Sequence, residues 1–133
     1  MNEQAISDAT SDPVTARTRA VIEAFHAAFN QHDVDAVMRL MTDDCVFENT
    51  YPPPDGSRSE GQTAVRAFWH ELFSGSPQAR FETEEIIAAG DRGVLRWTYH
   101  WIDQNQQAGH VRGVDIFRVR DNKIAEKFSY VKG

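Results

Sequence analysis

One cysteine, Cys45, is all the chain has. A lone thiol cannot close an intrachain disulfide, and nothing near it has a metal-ligand spacing, so Cys45 reads as a small buried side chain. Long apolar runs are missing too. No segment approaches the ~20 residues that a membrane helix needs, and the opening "MNEQAISDATSDP" is polar and acidic, unlike a signal peptide. A protein free of the membrane and located in the cytoplasm is the expectation. Positive charge is also scarce: 14 Lys and Arg stand against 20 Asp and Glu, a net charge of -6. Nucleic acid and anionic membrane surfaces want clustered Lys and Arg, so neither is an expected partner. The five histidines, His26, His32, His70, His100 and His110, show no paired spacing for a metal, and no metal site is expected. No internal repeat or low-complexity tract interrupts the chain.

What remains is enough for one domain. A chain of 133 residues buries roughly two thirds of the surface that it exposes when unfolded, which leaves room for a core with an internal pocket. Residues 1–12 have the polar composition of a flexible tail; residues 13–133 form the domain. From Pro13 or Thr15, the residues Val21, Ala24, Phe25, Ala28 and Phe29 keep a helical period until "NQHD" breaks it. Asp33 is a good N-cap for a second, short helix carrying Ala36, Val37, Leu40 and Met41. The run "CVFEN" is a short strand that ends in the proline-rich loop "TYPPPDGS". A third helix from Gly61 presents Val65, Phe68, Trp69, Leu72 and Phe73, and "SGSP" stops it.

Beyond Arg80 the chain reads as four strands, "ARFETEEIIAAG", "RGVLRWTYHWID", "HVRGVDIFRVR" and "NKIAEKFSYVKG", with turn signals between them. Short connections make consecutive strands antiparallel. Three helices followed by such a meander define an α+β domain with its helices on one face of the sheet.

Strand parity then assigns faces. In "VLRWTYHW", Leu95, Trp97, Tyr99 and Trp101 share one side, and Val94, Arg96, Thr98 and His100 share the other. In the next strand the arginines Arg112, Arg118 and Arg120 fall on the outer set, which carries Asp115 inward with Phe117. A buried carboxylate on an aromatic face is either a structural acid with a polar partner or, if isolated, a proton donor, because burial favours its neutral form. In the last strand parity separates Lys127 from Ile124, Phe128 and Tyr130, and which set faces inward stays open. Tyr99 is a candidate O–H donor on the inner face. Trp97 and Trp101, with Phe25, Phe29, Phe68 and Trp69 of the helices, would line a concave apolar cavity.

The segments "FNQHDVDAVMRLMTDDCVFEN", "GQTAVRAFW" and "GVDIFRVRDNKIAEKFSYVKG" resemble the nuclear transport factor 2-like superfamily, and within it the SnoaL-like branch, over about residues 15–133. The resemblance implies a cone-shaped roll, with three N-terminal helices packed on a strongly curved, mostly antiparallel mixed sheet. It also implies a deep pocket and a homodimer through the outer sheet face, where Arg96, Thr98, His100, Arg112 and Arg118 would lie. Placed on this chain, the base, tyrosine and aspartic acid of ketosteroid isomerases fall on Asn49, Phe25 and Asp115. Only the aspartic acid of that set is kept. An Asn cannot abstract a proton and a Phe cannot donate a hydrogen bond, so isomerisation by that route is not expected.

Limonene-type epoxide hydrolases fare no better: the first-strand Tyr and Asn fall on Phe47 and Asn49, the final-strand acid falls near Ser129, and the Arg-x-Asp is absent. SnoaL-like polyketide cyclases use an aspartic acid as general acid/base without metal or cofactor, and Asp115 is the natural candidate. The resemblance thus implies a cofactor-independent cyclase, isomerase or dehydratase acting on a hydrophobic, carbonyl-bearing molecule. Asp115, Asn49 and Tyr99 would be its polar groups, and Phe25, Phe29, Phe47, Phe68, Trp69, Trp97, Trp101 and Phe117 its walls. The rival reading is a non-catalytic ligand-binding or assembly protein of the same fold.

Overall fold

A computed structural model of the chain describes residues 12–132. The expected tail lies outside the described residues except for Asp12, which belongs to the domain as the N-cap of α1 (Pro13–Asn30). Its carboxylate accepts a hydrogen bond from the Val14 amide at 3.0 Å. Pro13 costs nothing in the first turn, where its missing N–H would have had no helical partner. Asp33 caps α2 (Val34–Arg39) by accepting from the Ala36 amide at 3.1 Å. The third helix, α3 (Gly61–Gly75), buries Val65, Trp69 and Phe73 at four-residue intervals. At its first turn the Gln62 amide nitrogen sits 3.0 to 3.2 Å from the carbonyls of Met38, Met41 and Thr42, and it ties α3 to the corner where the chain leaves α2.

Six strands follow the order β2-β1-β6-β5-β4-β3 in one sheet. They are β1 (Met41–Glu48), β2 (Arg58–Glu60), β3 (Arg80–Ala89), β4 (Arg92–Ile102), β5 (Ala108–Arg120) and β6 (Lys123–Val131). The meander from β3 to β6 is antiparallel as expected, while β6 lies parallel to β1. Two details differ from the sequence reading. The first strand begins at Met41, so "TDDC" is sheet, and the proline loop returns into a short strand, β2, which closes the edge beside β1. Both were hidden because three acidic or polar residues and three prolines are poor strand signals, and sheet pairing overrides weak local preference.

The helices lie over the inner face of this sheet. Register shifts in β3 between Thr83 and Glu85, in β5–β6 at Arg118/Val119, and in β1 between Met41 and Val46 bend the strands around them. The far end of α1 is fastened to the edge strand β3 by a reciprocal pair: Asn30 Nδ2 donates to the Phe81 carbonyl at 2.8 Å, and the Phe81 amide donates to Asn30 Oδ1 at 2.7 Å. The other end is held at the β3–β4 turn, where the Gly90 amide donates to Thr15 Oγ1 and Thr18 Oγ1 donates to the Gly90 carbonyl. Cys45 is fully buried, and burial pushes its thiol up, away from the reactive thiolate. No helix of the described residues is long and apolar enough to cross a membrane.

Candidate functional site

Parity on β4 and β5 is as the sequence indicates. Leu95 and Trp97 are buried and Tyr99 half-buried, whereas Arg96 and Arg112 point to solvent. Asp115 lies opposite Leu95 on the inner face and is 2% exposed. On β6 the question left open by the sequence is answered by a bulge. Ile124 pairs with Val119 and Glu126 with Arg118, so Ala125 is the extra residue, and beyond it the inner positions become Lys127, Ser129 and Val131. Phe128 and Tyr130 face outward.

This places Ser129 directly across from Asp115, with Lys127 on the diagonal. Asp115 is therefore not an isolated acid. Ser129 Oγ donates to Asp115 Oδ1 at 2.6 Å, Lys127 Nζ lies 3.2 Å from Asp115 Oδ2, and Lys127 Nζ donates to Ser129 Oγ at 3.1 Å. The two charged side chains are 6% and 4% exposed, Lys127 first. Around the ammonium stand three rings, with centroids 4.6 Å (Phe47), 5.5 Å (Trp69) and 5.9 Å (Phe29) from Nζ, a cation–π cage on the desolvated side. Burial pushes the Lys127 pKa down, and the Asp115 charge opposes it without cancelling it.

The group looks onto a cavity of about 260 Å³. Its aromatic wall is Phe29, Phe47, Phe68, Trp69, Phe81, Trp97 and Tyr99, completed by Leu72 and Val111. Lys127 is the one charged side chain on that wall among the described residues, and Ser129 stands beside it. Asn49, Thr50 and Tyr51, from the end of β1 and the proline loop, form the rim, and Tyr51 is 74% exposed, so the cavity opens there. Trp69 packs edge-on to Phe29 at 5.1 Å, and Phe81 edge-on to Trp97 at 5.0 Å. Trp97 has room to lie across β5 because residue 113 is glycine: a Cβ there would sit 2.7 Å from the Trp97 ring and closer still to the Tyr130 carbonyl. The indole N–H groups of Trp69 and Trp97 are buried without a partner among the described residues.

Of the expected site residues, Phe29, Phe47, Phe68, Trp69, Trp97, Tyr99 and Asn49 do line the cavity. Four do not. Phe117 is fully buried and packs edge-on to Phe25 at 5.9 Å; both belong to the core behind the wall, because the helix α1 that carries Phe25 covers this end of the sheet. Trp101 extends past Tyr99, ring centroids 5.7 Å apart, toward the β4–β5 hairpin, where it borders a groove with Ser76 and Pro77. Asp115 borders a hollow of only about 10 Å³ with Phe25, His26, Leu95 and Lys127, so it reaches the cavity through Lys127 and Ser129.

Two of the polar groups have other duties. Asn49 Oδ1 accepts from the Ser57 amide at 2.7 Å and from Ser57 Oγ at 3.1 Å, which clasps the proline loop. Burial pushes the Tyr99 phenol up, and a hydrogen bond with Ser76 partly offsets this. Ser129, Phe81 and Tyr51 were missed and Lys127 was left undecided; only the bulge at Ala125, which carries no sequence signature, would have pointed Lys127 and Ser129 inward.

Among the described residues no three His, Cys, Asp or Glu side chains come together as a metal site. On the outer face, the residues expected at a dimer interface are engaged within the chain. Glu84 meets Arg96 at 2.6 Å and Arg112 at 3.1 Å and accepts from Thr98, Glu82 meets His100 at 3.0 Å, and Glu126 meets Arg118 at 3.3 Å.

Helices wrapped by a bent six-stranded mixed sheet, with a cavity between them, are the architecture of the nuclear transport factor 2-like proteins. Within that class the chain belongs to the SnoaL-like family, whose domain model matches residues 22–127. It is similar to the solved structure of an NTF2-like protein of unknown function from Mesorhizobium loti, at 38% identity over 92% of this chain and 96% of that one, with a TM-score of 0.78. Two further structures are similar in fold. One is a candidate polyketide cyclase from Xanthomonas campestris, at 23% identity over 88% and 91% of the two chains, TM-score 0.72. The other is a Mycobacterium tuberculosis protein in complex with estradiol-17beta-hemisuccinate, at 23% identity over 86% and 92%, TM-score 0.74. Comparison with curated proteins gives no match.

Proposed function

We propose that this protein is a cofactor-independent enzyme of the cyclase, isomerase or dehydratase type, acting on a small hydrophobic molecule that carries a carbonyl group. The observation that carries this reading is the Asp115–Ser129–Lys127 triangle set behind an otherwise aromatic cavity wall. Lys127 offers N–H donors that can polarise a carbonyl and stabilise the negative oxygen of an enolate, while the single O–H of Ser129 is given to Asp115, and in a desolvated site such preset groups need no reorganisation as charge develops. Asp115 holds them in place and acts as the general acid/base, exchanging its proton with the substrate through the Ser129 hydroxyl.

A cavity of about 260 Å³ lies just below the ~300–1,000 Å³ usual for drug-sized ligands, which favours one or two rings. The similar structures support the ligand class: one binds a steroid ester and one is a candidate polyketide cyclase. Homodimerisation through the outer sheet face accompanies this reading, and sedimentation equilibrium checks it.

The test needs no knowledge of the substrate. Binding of bicyclic aromatic ketones such as 1-tetralone is followed through quenching of tryptophan fluorescence, and enolisation through α-deuterium incorporation in D2O by NMR. Quenching and accelerated exchange in the parent, with exchange lost and quenching kept in Asp115→Asn, is the expected result. Unchanged exchange in Asp115→Asn would remove Asp115 from the mechanism. Quenching without any exchange favours the second reading, a ligand-binding protein without turnover, to which the full engagement of Asp115 by Lys127 and Ser129 lends support.

A further inference from the structure

The buried lysine calls for an explanation beyond hydrogen bonding. An ammonium needs water or a partner, and here it has one carboxylate, one hydroxyl and three aromatic faces. A methionine at 127 and a neutral residue at 115 would fill the same space at less electrostatic cost. If the lysine served only to donate a hydrogen bond, the hydroxyl of Tyr99 already on the wall could do so without burying a charge. What an amine adds, and no other group on this wall can supply, is a nitrogen lone pair.

We infer that Lys127 is a covalent amine: it condenses with the carbonyl carbon of a small aromatic aldehyde or ketone in the cavity to form an iminium ion, with Asp115 as its counterion. The inference rests on the reading above that the cavity takes a carbonyl ligand. The steps balance without any further reagent. The Lys127 ammonium passes a proton to Asp115, directly or through Ser129. The nitrogen lone pair then forms the C–N bond while the carbonyl π pair moves to oxygen, and one N–H proton moves to that oxygen to give a carbinolamine. Asp115 returns its proton to the hydroxyl, which leaves as water as the nitrogen lone pair closes the C=N bond. Ammonium plus carbonyl gives iminium plus water, and the carboxylate ends as it began.

Three features of the site suit each stage. Ser129 Oγ lies 2.6 Å from Asp115 and 3.1 Å from Nζ, so it bridges the carboxylate and the reacting nitrogen. Burial favours the neutral amine that must attack. The iminium keeps the single positive charge of the ammonium, so the same carboxylate and the same ring faces of Phe47, Trp69 and Phe29 stabilise it. A neutral apolar ligand thus enters an apolar cavity, and the net charge of the buried pair never changes. An iminium also acidifies the adjacent C–H bond, which would couple this bond to the cyclase or isomerase chemistry proposed above.

The chain carries its own controls, because its only lysines are Lys123, Lys127 and Lys132, and the other two are exposed. The experiment treats the full chain at neutral pH with 2-naphthaldehyde and sodium cyanoborohydride, which reduces an iminium to a stable secondary amine. Intact mass and peptide mapping then locate a gain equal to the aldehyde less one oxygen. We expect Lys127 to be labelled at least tenfold faster than Lys123 or Lys132, the labelling to be suppressed by 2-naphthylmethanol, and its rate to rise between pH 6 and 9.

Labelling of Lys123 and Lys132 at equal or greater rates overturns the inference. Tryptophan quenching by the aldehyde with Lys127 unlabelled overturns it too, while leaving the carbonyl-site reading intact; neither quenching nor labelling defeats both. Lys127→Arg, checked for an unchanged circular dichroism spectrum, should take no label at 127 while Lys123 and Lys132 are labelled at their parent rates.

Discussion

Removing either member of the buried pair should cost more than removing both. Lys127→Met keeps the length and most of the volume of the side chain but leaves the Asp115 carboxylate without its cation, at 2% exposure. Stripping one partner from a buried ion pair typically costs ~3–5 kcal/mol, because the survivor's desolvation is no longer offset. Against a total stability of ~5–15 kcal/mol for a domain, that lowers Tm by about 10–20 °C at ~4 °C per kcal/mol. Asp115→Asn should cost about as much by the mirror argument, for it leaves the Lys127 ammonium with Ser129 and ring faces alone.

The double variant carries no buried charge. Its remaining deficit is an asparagine amide with incomplete partners, ~1–3 kcal/mol, so it should be more stable than either single variant. Urea unfolding of the four proteins, followed by tryptophan fluorescence with equal m-values required, gives the coupling energy directly. A double variant that loses the sum of the two single losses would refute the reasoning, since charges that do not feel each other across 3.2 Å cannot form the pair described.

The same pair gives a pH dependence with a defined sign. The Lys127 pKa in the native state lies below its ordinary value of 10.5, so between those two values the unfolded chain binds more protons, and stability must rise with pH. The charged and titratable groups facing Lys127 are Asp115, His26 and Tyr99, and the latter two are common to both proteins compared. The wild type should therefore gain on Asp115→Asn/Lys127→Met from pH 7 toward 10, at no more than ~1.4 kcal/mol per pH unit; a flat or falling difference would show that burial does not disfavour the ammonium.

Gly113→Ala should cost ~1–3 kcal/mol, as overpacking does, and should shift Trp97 emission, because the new methyl meets Trp97 and the Tyr130 carbonyl. Unchanged emission would place Trp97 elsewhere. Phe47→Ala should lose ~3–5 kcal/mol yet admit larger ketones, since Phe47 is both core and cavity wall; calorimetric titration with a ligand series checks the reversal in size preference.

Most of the fold was legible because its signals are local. The cap Asp33 acts within three residues, and the parity of β4 and β5 survives from end to end since their register has no shift. Asp115 could be turned inward from the arginines beside it alone. The site was harder to read for a physical reason. Its second strand, β6, contains a bulge, and one extra residue reverses every face assignment that follows. Before Ala125 the even-numbered Ile124 is core; after it the odd-numbered Lys127 and Ser129 are inside. A strict alternation could keep Ile124 with Phe128 or Lys127 with Ser129, never Ile124 with Lys127. Asp115 was placed on the inner face without its partners Lys127 and Ser129, and the expected walls included Phe25, Phe117 and Trp101, which lie off the cavity, because parity and periodicity give a side without giving a depth along the cone.

That bulge also bears on why the pair is there. Had β6 run without it, Glu126, Phe128 and Tyr130 would face the cone, and Asp115 would meet a phenylalanine in place of the serine and a second carboxylate in place of the lysine. Two carboxylates side by side in that setting could not both stay ionised. The bulge instead presents an amine and a hydroxyl to the acid at 3.2 and 2.6 Å, at a cost that hydrophobic replacement would avoid. Local irregularity in an otherwise regular sheet thus places a costly ion pair at the wall of a cavity, an arrangement that packing alone does not favour.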